Sequence, residues 1–173
     1  PWPFLAGQIA SLGPRGCSIA LTVRNLDIAP RPAGLGLHGF FPLDRKTRIR
    51  ARAKRMWRSD ETHIPTVPVA VNAEGGWLAD ALLCDQPPVN NAFDGWDGVA
   101  RIAQADHIVT LRVSGADCFQ LYRPACADYF AFEPIDHIPD ALNRAAMPML
   151  SPGASATLTL HFECSYIRSG TSR

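Results

Sequence analysis

The chain has 173 residues, of which 47% are hydrophobic and 19% charged, and its formal net charge is +1. This composition predicts one folded globular domain over residues 1–173. The small net charge disfavours a nucleic-acid partner, and no apolar run reaches the roughly 18 residues of a membrane span. We therefore expect neither a nucleic-acid nor a membrane partner.

Five cysteines are present, an odd number, and none of them forms a C-x-x-C pair. A disulfide framework needs paired cysteines in a small secreted chain, and a zinc site needs clustered Cys or His ligands. We therefore expect buried free thiols and no metal site. No signal peptide is visible, so the cytoplasm is the expected default location.

The 15 prolines and 13 glycines cut the chain into short segments, which favours an all-β architecture. The first clear strand pattern is at residues 17–24, where the odd-numbered residues are apolar over most of the run. Residues 155–162 alternate in the same way, with their even-numbered residues apolar. Each pattern is typical of a strand that buries one face.

In residues 47–54 cationic side chains alternate with uncharged ones, so one face would carry Arg48, Arg50, Arg52 and Lys54. Two interpretations stay open. The cationic face could form a phosphate-binding strip, for example for a sugar phosphate. It could also be a solvent-exposed strand face whose charges prevent edge-to-edge pairing.

Residues 107–113 and 118–123 also alternate, and the short segment 114–117 separates them. This spacing predicts a β-hairpin. Only residues 139–147 have a helical pattern, because Pro139 suits the first turn of a helix. The polar tail, residues 168–173, is expected to be frayed.

The first candidate for chemistry is His38, which lies among glycines and is followed by the aromatic pair Phe40 and Phe41. Histidine can donate a proton near neutral pH, and glycines let a ligand approach the backbone. The alternative is a histidine that hydrogen-bonds to a loop carbonyl.

The second candidate is Glu133, which follows an apolar strand and precedes Pro134. Burial at a strand end would raise its pKa and make it a better base. The alternative is a rim carboxylate paired with an arginine. Asp136 and His137 would either orient Glu133 or cap the following turn.

A third candidate is the segment 89–98, which combines short polar side chains, aromatics and turn glycines. Asn90 could bond sugar hydroxyls, and Trp96 could cover the C–H face of a sugar. The alternative is an ordinary turn with a packed tryptophan. Trp77 is another aromatic candidate for sugar contact.

Four segments together resemble the aldose 1-epimerase family, also called galactose mutarotases, over residues 1 to about 162. They are Pro-Trp-Pro-Phe at 1–4, Gly-Leu-Gly-Leu-His at 34–38 with an aromatic pair and Pro42, Phe-Asp-Gly-Trp-Asp-Gly at 93–98, and Glu133-Pro134 with His-Ile-Pro-Asp-Ala at 137–141. The resemblance implies an antiparallel β-sandwich of the galactose mutarotase-like supersandwich type, with a sugar site on one concave face.

The family chain is longer, so the resemblance makes residues 1–173 the carboxyl-terminal part of such a sandwich, incomplete at its amino terminus. In the family, the amino-terminal part supplies further strands, an arginine and a second histidine to the sugar site. We therefore expect unpaired edges and exposed apolar surface, which favour a homodimer, and weak catalysis.

The resemblance implies that Glu133 removes the proton from the anomeric hydroxyl and that His38 protonates the ring oxygen. The ring opens, the C1–C2 bond rotates, and closure gives the other anomer of the aldohexose. Asn90, Trp96 and His137 would bind the sugar. No cofactor is expected, because two positioned proton-transfer groups suffice.

Two departures from the family bear on function. Asn90 stands where relatives commonly have an aspartate, and Phe40 replaces a tyrosine and lacks its hydroxyl. Two alternative functions stay open. One is a mutarotase for hexose 6-phosphates, which would give the cationic strand a role, and the other is a carbohydrate-binding module without catalysis.

Overall fold

A computed structural model of the chain describes residues 2–71 and 78–167. Those residues form fifteen β-strands and a short 3-10 turn at Leu83–Asp85. The strands are β1 Phe4–Gly13, β2 Gly16–Asn25, β3 Arg31–Pro32, β4 Gly39–Pro42, β5 Arg48–Ala51, β6 Arg55–Ser59, β7 Pro65–Ala70, β8 Ala79–Leu82, β9 Val89–Asp94, β10 Val99–Ala103, β11 His107–Ser114, β12 Cys118–Arg123, β13 Tyr129–Ile135, β14 Met149–Leu150 and β15 Ser155–Tyr166.

Two large sheets pack face to face. The seven-stranded sheet has the order β1-β2-β15-β11-β10-β5-β8, and the six-stranded sheet has the order β4-β13-β12-β9-β6-β7. One apolar cluster takes buried side chains from both sheets, for example Ile49 and Leu111 from the first and Phe119 and Phe132 from the second. The paired strands are antiparallel, so the predicted all-β antiparallel sandwich is confirmed.

The strand predictions from alternation at residues 17–24 and 155–162 are confirmed as β2 and β15. In β5, Ile49 and Ala51 are buried while Arg48 and Arg50 are exposed, as the alternation predicts. The solvent-exposed strand face is therefore confirmed for Arg48 and Arg50. This strand lies between β10 and β8, however, so its charges do not protect a sheet edge and that part of the interpretation is wrong. The strand also ends at Ala51, after which the chain crosses to the other sheet.

The predicted hairpin at residues 107–123 is wrong. β11 belongs to the seven-stranded sheet and β12 to the six-stranded sheet, so residues 114–117 carry the chain from one sheet to the other. Gly115 makes this crossing possible with a φ of +83°, and a Cβ atom there would lie 2.2 Å from the carbonyl oxygen of Thr157. A glycine-containing polar turn suits both connections, so the local sequence does not distinguish them.

The predicted helix at residues 139–147 is also wrong, because this segment forms consecutive turns. Asp140 and Ala145 have φ values of +67° and +51°, whereas an α-helix requires φ near −60°. The segment packs against the sheet instead: the guanidinium of Arg144 lies 5.0 Å from the ring centroid of Trp57 on β6.

The cysteines are free among the described residues, but only Cys118 is buried, and Cys126 and Cys164 are exposed. The expectation of buried thiols therefore fails for most of them. Within residues 2–71 and 78–167, no three potential metal ligands cluster, and no helix has the length and apolar character needed to cross a membrane. Trp77 and the tail at residues 168–173 lie outside the described residues.

Strand β1 is exposed along its whole length, although it pairs with β2 over ten residues. It is the edge strand of the seven-stranded sheet, and it carries the large apolar side chains of Phe4, Leu5, Ile9 and Leu12. A long apolar edge with unpaired backbone groups is a template for pairing with another chain.

We predict that the 173-residue chain self-associates through β1. Sedimentation velocity should show an average mass that rises with protein concentration. Ile9→Lys combined with Leu12→Lys should shift the chain toward monomer, because charges on an edge oppose pairing. Ile28→Lys, at an exposed position outside the strands, is the control and should change nothing. A monomer at every concentration would contradict the prediction.

Candidate active site

The outward face of the six-stranded sheet carries a row of polar side chains. In β12 and β13, Phe119 and Phe132 are buried in the core. Since side chains alternate along a strand, the neighbouring Gln120 and Glu133 point to the opposite face of the sheet. The register places Gln120 directly opposite Glu133. Glu133 therefore lies on the outward face of the six-stranded sheet, one strand in from its β4 edge.

His38 reaches this face because residues 34–38 run alongside the end of β13. Gly36 forms a β-bridge with Ile135, and the Leu37 N–H donates to the carbonyl of Pro134 at 3.0 Å. Strand β4 then continues the pairing with β13. As a result, His38 Nε2 lies 3.1 Å from Glu133 Oε1.

Each of these two side chains is the other's partner. The partner of Glu133 is therefore His38 rather than an arginine, and His38 contacts a carboxylate rather than a loop carbonyl. The Glu133 side chain is 16% exposed and that of His38 is 54% exposed. Burial raises the pKa of the Glu133 carboxyl, and the nearby His38 opposes this rise only in part. A carboxylate with a raised pKa is a stronger general base.

Asp136 fixes His137 and the segment before His38 at the same time. Its Oδ1 accepts the Leu35 N–H at 2.9 Å and lies 2.5 Å from Nδ1 of His137. A Cβ atom on Gly34 would lie 2.3 Å from the imidazole of His137, so this contact requires glycine. Asp136 thus holds the loop that carries His38, and the expectation that it orients Glu133 itself has no support in these contacts.

Asn90 lies on the same face as Glu133, on strand β9. Its Oδ1 accepts a hydrogen bond from Nε2 of Gln120 at 2.7 Å. Gln120 therefore lies on the strand between the candidate base and the candidate sugar-binding residue: it is opposite Glu133 in the register and hydrogen-bonded to Asn90. Gln120 was not predicted from the sequence. Its only signal is a polar residue at an outward position in the strand Cys118–Arg123.

Trp96 does not lie on the sugar face. It is 4% exposed, its indole N–H donates to the Val99 carbonyl at 2.9 Å, and its ring meets Phe119 and Phe132 edge-on. This placement makes Trp96 a core side chain, so its expected sugar contact is corrected. The exposed aromatic beside the acid–base pair is Phe40, whose ring centroid is 4.6 Å from that of His38.

The cationic strand at residues 48–51 lies in the other sheet. Arg48 and Arg50 point away from the core on the outer side of that sheet, while Glu133 lies on the outer side of the six-stranded sheet. The packed core separates the two faces. Arg48 and Arg50 therefore cannot hold the phosphate of a sugar that reacts at Glu133, and the role suggested for these two residues in a hexose 6-phosphate mutarotase is wrong. Arg52 and Lys54 lie beyond β5, in the segment that crosses to the six-stranded sheet.

Comparison with known proteins identifies the family of this chain. The family model described as aldose 1-epimerase matches residues 1–163. This chain belongs to the aldose 1-epimerase family. An uncharacterized protein of Escherichia coli K12, YphB, is 31% identical over 168 residues, which include 81% of this chain and 53% of that protein.

Solved structures of similar proteins share the fold of this family member. A candidate aldose 1-epimerase from Escherichia coli K12 is 27% identical, with a TM-score of 0.86, over 96% of this chain and 62% of that one. A galactose mutarotase-like protein from Clostridium acetobutylicum is 18% identical, with a TM-score of 0.83, over 95% and 56%. The chain thus spans somewhat more than half the length of each of these relatives.

The raised pKa of Glu133 predicts that Glu133→Gln stabilises the fold at alkaline pH. A carboxyl whose pKa is higher in the folded state binds its proton more tightly there, so stability falls as pH rises through that pKa. The amide of glutamine does not ionise, so the variant does not lose this stability at alkaline pH. Urea unfolding should find the variant more stable than the wild type at about pH 8, with the difference vanishing below the ordinary carboxyl pKa of 4.5.

Glu163→Gln supplies the matched control, because Glu163 is an exposed carboxylate on β15 of the other sheet. It should leave the free energy of unfolding nearly unchanged at both pH values. A Glu133→Gln variant that is less stable than the wild type at alkaline pH would show that the contact with His38 outweighs desolvation.

Proposed function

We propose that this chain carries the acid–base site of an aldose 1-epimerase, which interconverts the α and β anomers of an aldohexose. The observation that carries the proposal is the 3.1 Å contact between His38 Nε2 and Glu133 Oε1 on the open face of a sheet. One group is a desolvated carboxylate and the other an exposed imidazole. Together they can accept one proton and donate another at adjacent atoms of a sugar.

In the proposed reaction, the Glu133 carboxylate takes the proton of the anomeric hydroxyl, while protonated His38 gives its proton to the ring oxygen. The electrons of the O1–H bond form the carbonyl, and those of the C1–O5 bond pass to the ring oxygen. The open aldehyde then rotates about C1–C2. Ring closure reverses both proton transfers and regenerates the two side chains.

Asn90 and His137 are proposed to bind sugar hydroxyls. The amide of Asn90 is oriented by Gln120, and Asp136 holds Nδ1 of His137, which leaves Nε2 as the nitrogen assigned to the substrate. Phe40 offers its exposed ring to the C–H face of the sugar. No group in this scheme needs a cofactor, because the two proton transfers balance each other.

Polarimetry on freshly dissolved α-glucose and α-galactose tests the proposal, and we expect the 173-residue chain to accelerate mutarotation. Glu133→Gln should lower kcat by more than about 10²-fold, because an amide cannot accept the anomeric proton. Sugar binding, followed by tryptophan fluorescence, should change little. Glu163→Gln is the control. A wild-type chain that binds sugar without accelerating the exchange would instead indicate a carbohydrate-binding module.

His38→Asn should lower kcat more than it raises KM. The proton donated to the ring oxygen matters most in the transition state, so its loss affects the chemical step. Single-turnover anomer exchange measured by NMR would report the change, with the exposed His161 replaced by Asn as the control. An unchanged kcat with a raised KM would make His38 a binding residue only.

Asn90→Asp should tighten sugar binding. One carboxylate oxygen can keep the hydrogen bond from Gln120, and the other can accept a charge-assisted bond from a sugar hydroxyl. The expected result is a lower KM with little change in kcat. An unchanged or higher KM would show that the hydroxyl does not bind at residue 90.

A further inference from the structure

A cleft of about 240 Å³ opens on the outer face of the seven-stranded sheet, between β5 and β10. Its lining consists of Arg50, Ala51, Arg52, Asp97, Val99 and Arg101. The packed core separates it from Glu133, so none of these residues takes part in the proposed proton transfers. The cleft thus contains part of the cationic pattern of residues 47–54, to which the proposed function gives no role.

The register of β5 against β10 brings two arginines of the lining together. Ala100 and Ile102 of β10 are fully buried, so the side chain of Arg101 between them points outward. Arg101 pairs directly with Arg50 of β5, which is exposed on the same face. The Cβ atoms of directly opposed residues lie about 5 Å apart, and like charges at such positions are destabilising. The sheet therefore holds two cations side by side.

Two more arginines complete this arginine cluster, which we define as Arg50, Arg52, Arg101 and Arg112. Arg52 is exposed and lines the cleft directly. Arg112 of β11 lies opposite Val99 in the register, on the same outer face. Within residues 2–71 and 78–167, none of the four side chains makes a hydrogen bond or an ion pair. Their guanidinium groups are therefore available to a ligand.

The carboxylate in the lining does not neutralise the cluster. Asp97 Oδ1 accepts the N–H of Val99 at 3.1 Å, and its side chain forms no ion pair in the described parts of the chain. The same holds for two other carboxylates of this sheet, Asp80 on β8 and Glu163 on β15. Positive charge therefore exceeds negative charge around the cleft, and an anion there would offset the repulsion between the arginines.

We propose that the arginine cluster binds a small phosphate anion in this cleft, either inorganic phosphate or a phosphate ester. Guanidinium groups bind phosphate oxygens through two parallel N–H donors, and Arg50 and Arg101 present two such groups to one point. The cleft is smaller than the roughly 300–1,000 Å³ of most small-molecule pockets, which favours a small ligand. The site is separate from Glu133, so the inference does not depend on the proposed function.

Thermal unfolding in sodium phosphate and in sodium chloride of equal ionic strength tests the proposal. Both salts screen the arginines, whereas only a ligand that binds the folded chain stabilises it further. Phosphate should therefore give the wild type the higher Tm, and Arg50→Gln combined with Arg101→Gln should abolish the difference. Arg15→Gln, in the exposed turn between β1 and β2, is the control and should keep it. An equal phosphate effect in the double variant, or none in the wild type, would overturn the proposal.

Calorimetric titration with inorganic phosphate and with glycerol 3-phosphate identifies the source of the anion. Arg101→Gln alone should weaken the binding of both at least about tenfold, the loss expected for a hydrogen bond to a charged group. Tighter binding of glycerol 3-phosphate would identify a phosphate ester as the ligand, and equal or weaker binding would identify the free ion. Glu133→Gln should leave both affinities unchanged. If it altered them as much as Arg101→Gln does, the anion would lie on the other face and the proposal would fail.

Discussion

The pairing of residues 34–38 with the end of β13 is the constraint on which the candidate site depends. Pro134 has no N–H, yet its carbonyl accepts from Leu37, and the Asp136 N–H donates to the carbonyl of Leu35. The Asp136 side chain adds a third bond to the same segment. These contacts bring the His38 imidazole and the Glu133 carboxylate, which are distant in the sequence, within hydrogen-bonding distance. Both residues are thereby held by backbone that pairs within the sheet.

The two outer faces of the sandwich carry different kinds of side chain. Stacked aromatic rings, including Phe93 on Phe119 and Phe119 on Phe132, fill the space behind the six-stranded sheet. One outer face carries Glu133, Gln120 and Asn90, and the other carries exposed arginines. Because the core between them is packed and apolar, a small ligand on one face cannot contact side chains on the other.

Local alternation predicted the strands that bury one face, since the period of two depends only on the strand itself. It failed at residues 114–117, because a glycine turn serves a hairpin and a crossing between sheets equally well. Pro139 suggested the first turn of a helix at 139–147, but the segment follows the surface of the sheet and takes left-handed φ values at Asp140 and Ala145.

The site could be predicted only in part, because it depends on long-range strand pairing that the local sequence does not show. Composition alone left His38 and Glu133 undecided, and the family resemblance singled them out, because the contact that unites them is formed by long-range strand pairing. Trp96 looked like a sugar-binding residue because its neighbours are polar, yet its indole N–H is satisfied inside the core. Gln120 gave no local signal, since one polar residue at an outward strand position is ordinary.

The register of β12 against β13 has a consequence for how this protein can change in length. A slip of one residue would turn Gln120 inward and Phe119 outward, and it would separate the polar row from Glu133 in the same step. An insertion or deletion inside either strand would therefore damage the core and the site together. The turns at residues 139–147 have no such register to keep, so they are the place where a length change near the site would be tolerated.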